Sequence, residues 1–201
     1  MVERTIHYAY LKMNSFHYQY LKIKLEDEFF ALLKKALEPH TEYEQCKTDN
    51  WDGETLQSKY SDIRSSKACF IDDPEIYRLV DGLVRFANAK CQWNLDVDFI
   101  EPLQLTKYEV GDFYGWHIDE SNWTPGKRPK GKIRKISFSI GLNDDYEGGE
   151  FHIGAEYLKE EIRLNEKEVI LFLADTPHQV TPVTSGVRYS LVGWTQGPAY
   201  R

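Results

Sequence analysis

Arg134-Lys135-Ile136-Ser137-Phe138-Ser139-Ile140-Gly141-Leu142 alternates from its third residue: positions 136, 138, 140 and 142 are large and apolar, and 137, 139 and 141 are small. Successive side chains of a strand point to opposite faces, so this stretch predicts a strand with one packed face and one that leaves room. Leu103-Gln104-Leu105-Thr106-Lys107-Tyr108 repeats the pattern, with leucines on one side and Gln104, Thr106 and Tyr108 on the other. A polar inner face with space on it implies a pocket rather than a filled core.

Around these two stretches the chain reads as strands separated by short turns, at about 98–110, 133–142, 149–153, 161–164, 168–174, 178–183 and 187–195. Gly148-Gly149 after Asp144-Asp145-Tyr146-Glu147 reads as a hairpin turn. The N-terminal half differs. Residues 5–24 are aromatic-rich strand material, and Leu25, Phe29, Leu32, Leu33, Ala36 and Leu37 then recur at helical steps until Pro39 ends the run. Asp73-Pro74 opens a second helix with Ile76, Leu79, Val80, Leu83 and Phe86 as its buried stripe. Between them, 41–68 is polar and reads as an irregular loop that covers the pocket. The expected fold is mainly β with supporting helices on one side of a sheet: a double-stranded β-helix, the jelly-roll or cupin-like barrel.

With 201 residues, 41% of them hydrophobic and 14% aromatic, the chain can bury one sizeable core, and a single domain over 1–201 is expected. No apolar run reaches membrane-spanning or signal-peptide length, and Cys46, Cys69 and Cys91 form no CxxC pair. These features point to a cytoplasmic protein with no membrane contact. A net charge of −7 argues against a nucleic-acid binder that uses its whole surface. One run departs from that balance: Lys127, Arg128, Lys130, Lys132, Arg134 and Lys135 fall within nine residues that contain no acid. It reads either as a solvated loop or as a mobile flap that meets an acidic or phosphate-bearing partner.

Gly115-Trp116-His117-Ile118-Asp119 sets an imidazole and a carboxylate two residues apart, so extended backbone turns both to one face. A His-x-Asp triplet alone is weak. Thr176-Pro177-His178 supplies a third donor at the start of another strand. Two histidines and one carboxylate on one side of iron(II) leave positions open for a chelating cosubstrate and dioxygen, whereas a structural zinc site is closed and usually uses cysteine. Ten residues past His178, Arg188 shares a strand face with Ser190, Val192 and Trp194. Arg188 either forms a surface salt bridge or faces the pocket, where a small dicarboxylate would satisfy it. His152, with no carboxylate at ligand spacing, reads as structural.

Tyr108-x-x-Gly111-x-x-Tyr114-x-x-His117-x-Asp119, then Glu147-Gly148-Gly149-Glu150-Phe151, then His178 with Arg188-Tyr189-Ser190-Leu191, resembles the 2-oxoglutarate- and iron(II)-dependent oxygenases. The similarity is to their prolyl 4-hydroxylase-like branch, including PKHD-type and phage-encoded members, and covers about 98–198. It implies that 96–201 is the catalytic β-barrel and 1–95 a helical support and lid region. It further implies that His117, Asp119 and His178 are the catalytic metal ligands, and that Tyr108, Arg188 and Ser190 bind the cosubstrate. Tyr114, Trp194 and Arg128 would lie beside the substrate, the two aromatics being readable equally as packing at the barrel mouth. The cofactors implied are Fe(II), 2-oxoglutarate and O2, with ascorbate as a stimulant.

The expected reaction is hydroxylation of an unactivated C–H bond, on a prolyl residue of a protein or peptide. The alternatives are a nucleic acid, reached through the 127–135 basic loop, a free amino acid or another small molecule. A third reading, a metal- or ligand-binding module without turnover, is disfavoured by the intact ligand set. Collagen-type enzymes usually carry lysine where Arg188 stands, so procollagen is not the expected substrate. Either a monomer or a homodimer is compatible with the sequence.

Overall fold

A computed structural model describes residues 9–14, 17–51, 56–59, 62–120, 131–154 and 159–199, with backbone alone at 9–14, 17–19, 48–51 and 56–59. The first half carries β1 (Ala9–Asn14), β2 (His17–Lys24), α1 (Asp27–Leu37), β3 (Glu44–Gln45), β4 (Thr48–Trp51), β5 (Leu56–Lys59), β6 (Arg64–Ser65), β7 (Lys67–Ile71) and α2 (Pro74–Lys90). Next come β8 (Phe99–Ile100), β9 (Leu103–Tyr108), β10 (Phe113–His117), β11 (Lys132–Gly141), β12 (Tyr146–Gly148) and β13 (Phe151–Ile153). β14 (Glu160–Ile162), β15 (Glu168–Leu173), β16 (His178–Val180), β17 (Val183–Gly186) and β18 (Arg188–Pro198) complete the chain.

β11 lies mid-sheet in a nine-stranded antiparallel sheet of order β1-β2-β15-β11-β18-β9-β7-β3, with β8 also pairing β18. A five-stranded sheet, β14-β13-β16-β10-β6, faces it. The alternation separates two cores. Ile136, Phe138, Ile140, Leu103 and Leu105 join Val169, Leu171 and Leu191 on the face covered by both helices. Tyr20, Tyr108, Ile170 and Phe172 point the other way and meet Phe151, Ile153, Ile162 and Val180 of the smaller sheet. The result is three layers, helices, large sheet and small sheet, in the jelly-roll class. Among the described residues no ladder joins the two sheets into a closed barrel, so the expected barrel is a pair of facing sheets.

Helix α2 begins where Asp73 caps it, Oδ1 accepting from Glu75 N at 2.7 Å and Ile76 N at 3.4 Å. Such a cap stabilises by about 1 kcal/mol. Its fully buried stripe is Ile76, Val80, Val84 and Ala87, flanked by half-buried Leu79, Leu83 and Phe86, so the stripe centre lies one step round from the expected one. In α1 the buried positions are Phe30, Leu33 and Leu37, and Leu32, expected inside, is 56% exposed. Burying each such side chain is worth roughly 1.5–3 kcal/mol, and this holds both helices on the sheet.

Two further expectations are corrected. The 41–68 stretch is not irregular: β7 pairs β9, β3 pairs β7 and β6 pairs β10. These strands are short and lie toward the sheet edges, so main-chain pairing sets them where apolar alternation is weak. Gly148-Gly149 turns no hairpin, because β12 pairs β17 whereas β13 pairs β14 and β16; the glycines carry the chain from one sheet to another. All three cysteines are free and buried. Among the described residues, no helix is long and apolar enough to cross a membrane.

Candidate metal and anion site

In the small sheet β10 runs antiparallel to β16 with His117 opposite His178. Each ring is fixed by its own main chain: His117 Nδ1 lies 2.8 Å from Gly115 O and His178 Nδ1 2.9 Å from Thr176 O. A carbonyl only accepts, so both Nδ1 atoms carry the proton and both Nε2 lone pairs are left for another partner. Asp119, just past the end of β10, places Oδ1 3.7 Å from His117 Nε2 and Oδ2 3.5 Å from His178 Nε2. Donors about 2 Å from one ion stand about 3–4 Å apart, so the set matches a single metal. Among the described residues it is the one group of three or more His, Cys, Asp or Glu donors this close together.

The protonation states suit a cation. Burial first, and the neighbouring His178 second, push the His117 imidazole down to about 4. Burial works against ionisation of Asp119, but His178, His117 and Arg134 outweigh it and hold the carboxyl below its usual range. Metal ligands must be deprotonated, and both groups are. Tyr114 stacks on His117 with ring centroids 3.5 Å apart, and Phe151 and Phe172 flank His178.

The opposite wall belongs to the large sheet, where β18 pairs β9 with Arg188 opposite Tyr108 and Ser190 opposite Thr106. Arg188 is 2% exposed. Its Nη1 donates to Ser190 Oγ at 2.9 Å, and that hydroxyl shares a hydrogen bond of 2.7 Å with Thr106 Oγ1. Among the described residues Arg188 Nε has no hydrogen-bond partner, and no carboxylate lies within ion-pairing distance. A buried guanidinium so placed is costly until an anion reaches it. Burial raises the Tyr108 pKa although Arg64 and Arg188 oppose the shift, so its hydroxyl stays a donor. Between the walls the enclosed volume is only about 40 Å³.

Tyr114 and Trp194 both line this cavity, Trp194 with its indole Nε1 buried and without a hydrogen-bond partner among the described residues. Arg128, with Lys127 and Lys130, lies outside the described residues. The rest of the basic run is neither loop nor flap but the start of β11. There Lys132 pairs with Asp98, Arg134 pairs with Glu101, and Lys135 is 3% exposed. His152 bonds Gln179 at 2.8 Å and stands outside the metal set. Sequence reasoning missed Arg64. From β6 it enters the cavity, donates to Ser66 Oγ at 2.9 Å and Gln104 Oε1 at 3.2 Å, and lies 4.6 Å over the Tyr114 ring. Its only sequence signal was an isolated arginine in a polar stretch.

Residues 103–196, which include all three clustered donors and Arg188, match the model of the 2OG-Fe(II) oxygenase superfamily. Over these residues the chain is similar to a 2OG-Fe(II) oxygenase domain. The match implies iron(II), 2-oxoglutarate and O2 as cofactors, and His117, Asp119 and His178 are the triad that could hold the metal. A PKHD-type hydroxylase of Synechococcus sp. (strain CC9902) is 37% identical over 99 residues, which cover 48% of this chain and 42% of the relative. Another, from Idiomarina loihiensis, is 33% identical over 120 residues, covering 57% and 52%. The chain thus spans about half the length of the curated relatives it matches. In fold it is similar to a Pseudomonas putida prolyl-4-hydroxylase, with TM-score 0.65 and 20% identity over 92% of this chain and 95% of that one.

Proposed function

We propose that this protein is an iron(II)- and 2-oxoglutarate-dependent hydroxylase acting on a prolyl residue of a protein or peptide. One observation carries the oxygenase reading: three metal donors on the small sheet face a buried guanidinium without a carboxylate partner on the large sheet. His117, Asp119 and His178 hold the metal. Arg188, supported by Ser190 and Tyr108, binds the distal carboxylate of 2-oxoglutarate. The unsatisfied Arg188 Nε and the two free Nε2 atoms fit a metal and a diacid at opposite ends of one cavity.

Iron(II) with 2-oxoglutarate and O2 supplies the oxidation, in which R–H, 2-oxoglutarate and O2 become R–OH, succinate and CO2. The chain's own groups orient and shield. The Nδ1–H bonds to Gly115 and Thr176 aim both imidazoles, the Tyr114, Phe151 and Phe172 rings exclude water from them, and Trp194 forms part of the substrate wall.

The prolyl assignment draws on the names of the similar proteins, including the Pseudomonas putida enzyme. It is tested by incubating the protein with iron(II), 2-oxoglutarate and digests of bacterial cell protein. Mass spectrometry should find a gain of one oxygen atom on proline, with matching succinate. Succinate formation that no proline-containing peptide stimulates would overturn the prolyl assignment and leave the oxygenase standing.

A further inference from the structure

Of the three metal donors, two are held by a strand ladder and one is not. His117 and His178 face each other across β10 and β16, whereas Asp119 lies two residues past the last paired position. The main chain that carries this carboxylate has to be set by contacts outside the ladder.

Arg134 of β11 stands behind it. Its Nη1 donates to the Asp119 carbonyl at 3.4 Å, and its own main-chain N–H donates to Glu120 Oε2 at 2.6 Å. The Glu120 N–H in turn donates to Ala174 O at 2.8 Å. Arg134 is itself clamped. Nε and Nη2 make a two-pronged bond to Glu101, at 2.8 and 2.6 Å, and the guanidinium carbon lies 4.1 Å over the Trp194 ring. Gln196 Nε2 donates to the same Glu101 at 2.7 Å, so the acid is fixed from a second strand. A planar guanidinium with this fork geometry has little rotational freedom left.

We propose that Arg134, locked by Glu101, is a positioning residue that sets the main chain of Asp119 and so the direction of its carboxylate toward the metal. This rests on the metal-site reading above. The pair acts through Asp119 and need not touch the ion. Support of this indirect kind typically changes metal affinity by 10–100-fold.

The test uses cobalt(II) alone as the probe, titrated into metal-free protein by calorimetry and followed by its visible d–d absorption. Wild type, Arg134→Gln, Arg134→Lys and Glu101→Gln are compared, each checked by circular dichroism. Arg134→Gln and Glu101→Gln should weaken cobalt(II) by about 10–100-fold and shift the absorption band, and Arg134→Lys should recover part of both. If Arg134→Gln does not fold, Glu101→Gln, which keeps the side chain's shape, is read in its place. Folded variants with wild-type affinity and spectrum overturn the positioning role while leaving the metal site intact. A wild-type protein that binds no cobalt(II) overturns the metal site, and the positioning role with it.

Discussion

Arg188 and Tyr108 are direct partners across β18 and β9, with the guanidinium carbon 5.3 Å from the centre of the phenol ring. The pair lies on the wall opposite His117, Asp119 and His178, so the proposed anion anchor and the proposed metal set can be disabled separately. Asp119→Ala should abolish metal binding and turnover together. Arg188→Ala should leave cobalt(II) affinity close to wild type and weaken 2-oxoglutarate by on the order of a hundredfold or more, because each hydrogen bond to a charged group is worth roughly 1.5–3 kcal/mol. Equal metal loss in both variants would contradict this division.

Ser190 is the only described side chain that accepts from Arg188. Ser190→Ala removes that acceptor and strands Thr106 Oγ1's shorter partner bond, while the Thr106 contact to the Ser190 main chain persists. A loss of about 1 kcal/mol, or roughly fivefold in 2-oxoglutarate affinity, is expected from ligand titration.

Gly149 has φ +64°, and a Cβ there would lie 2.9 Å from Arg188 Cδ. Gly149→Ala therefore combines backbone strain of roughly 1–2 kcal/mol with pressure on the anchor. Its 2-oxoglutarate dissociation constant should rise while cobalt(II) binding holds. At Gly193 the clash is with the helix-side core, 2.4 Å from Phe138 Cζ and 2.5 Å from Leu103 Cδ2. Gly193→Ala should cost about 1–3 kcal/mol in urea unfolding.

In metal-free protein the depressed His117 pKa, about 4 in the fold, makes the unfolded chain bind more protons than the native one below an unfolded value of about 6.5. Stability should therefore fall as pH drops from about 6.5 toward 4 and level off with respect to this group below that. Thermal melts across this range check the sign. His117→Gln should flatten the slope.

The large sheet was readable because side chains of β9 and β11 alternate between large apolar residues and small or polar ones. Ile136 to Leu142 separates a packed face from an open one, whereas the step from His117 to Asp119 leaves the strand, because β10 ends at His117. Arg64 and Arg134 were not readable, and for one reason. Both are charged residues whose inward direction depends on partners brought from far along the chain: Gln104 and Tyr114 for the first, Glu101 and Trp194 for the second. Composition marks such arginines as surface, and only the sheet register shows otherwise. The two-residue strands β3 and β6 left no alternation to read.

The metal donors and Arg188 stand on different sheets that no described ladder joins. A diacid gripped at both ends would be a non-covalent rivet between those sheets. The loaded protein should then melt at a higher temperature than the metal-only form, and amide hydrogen exchange should slow in β10 and β18 together. Succinate, left behind once the reaction is over, keeps a carboxylate at each end but has no keto oxygen with which to chelate the metal, so it should fasten the metal side less firmly and leave the layers freer to part.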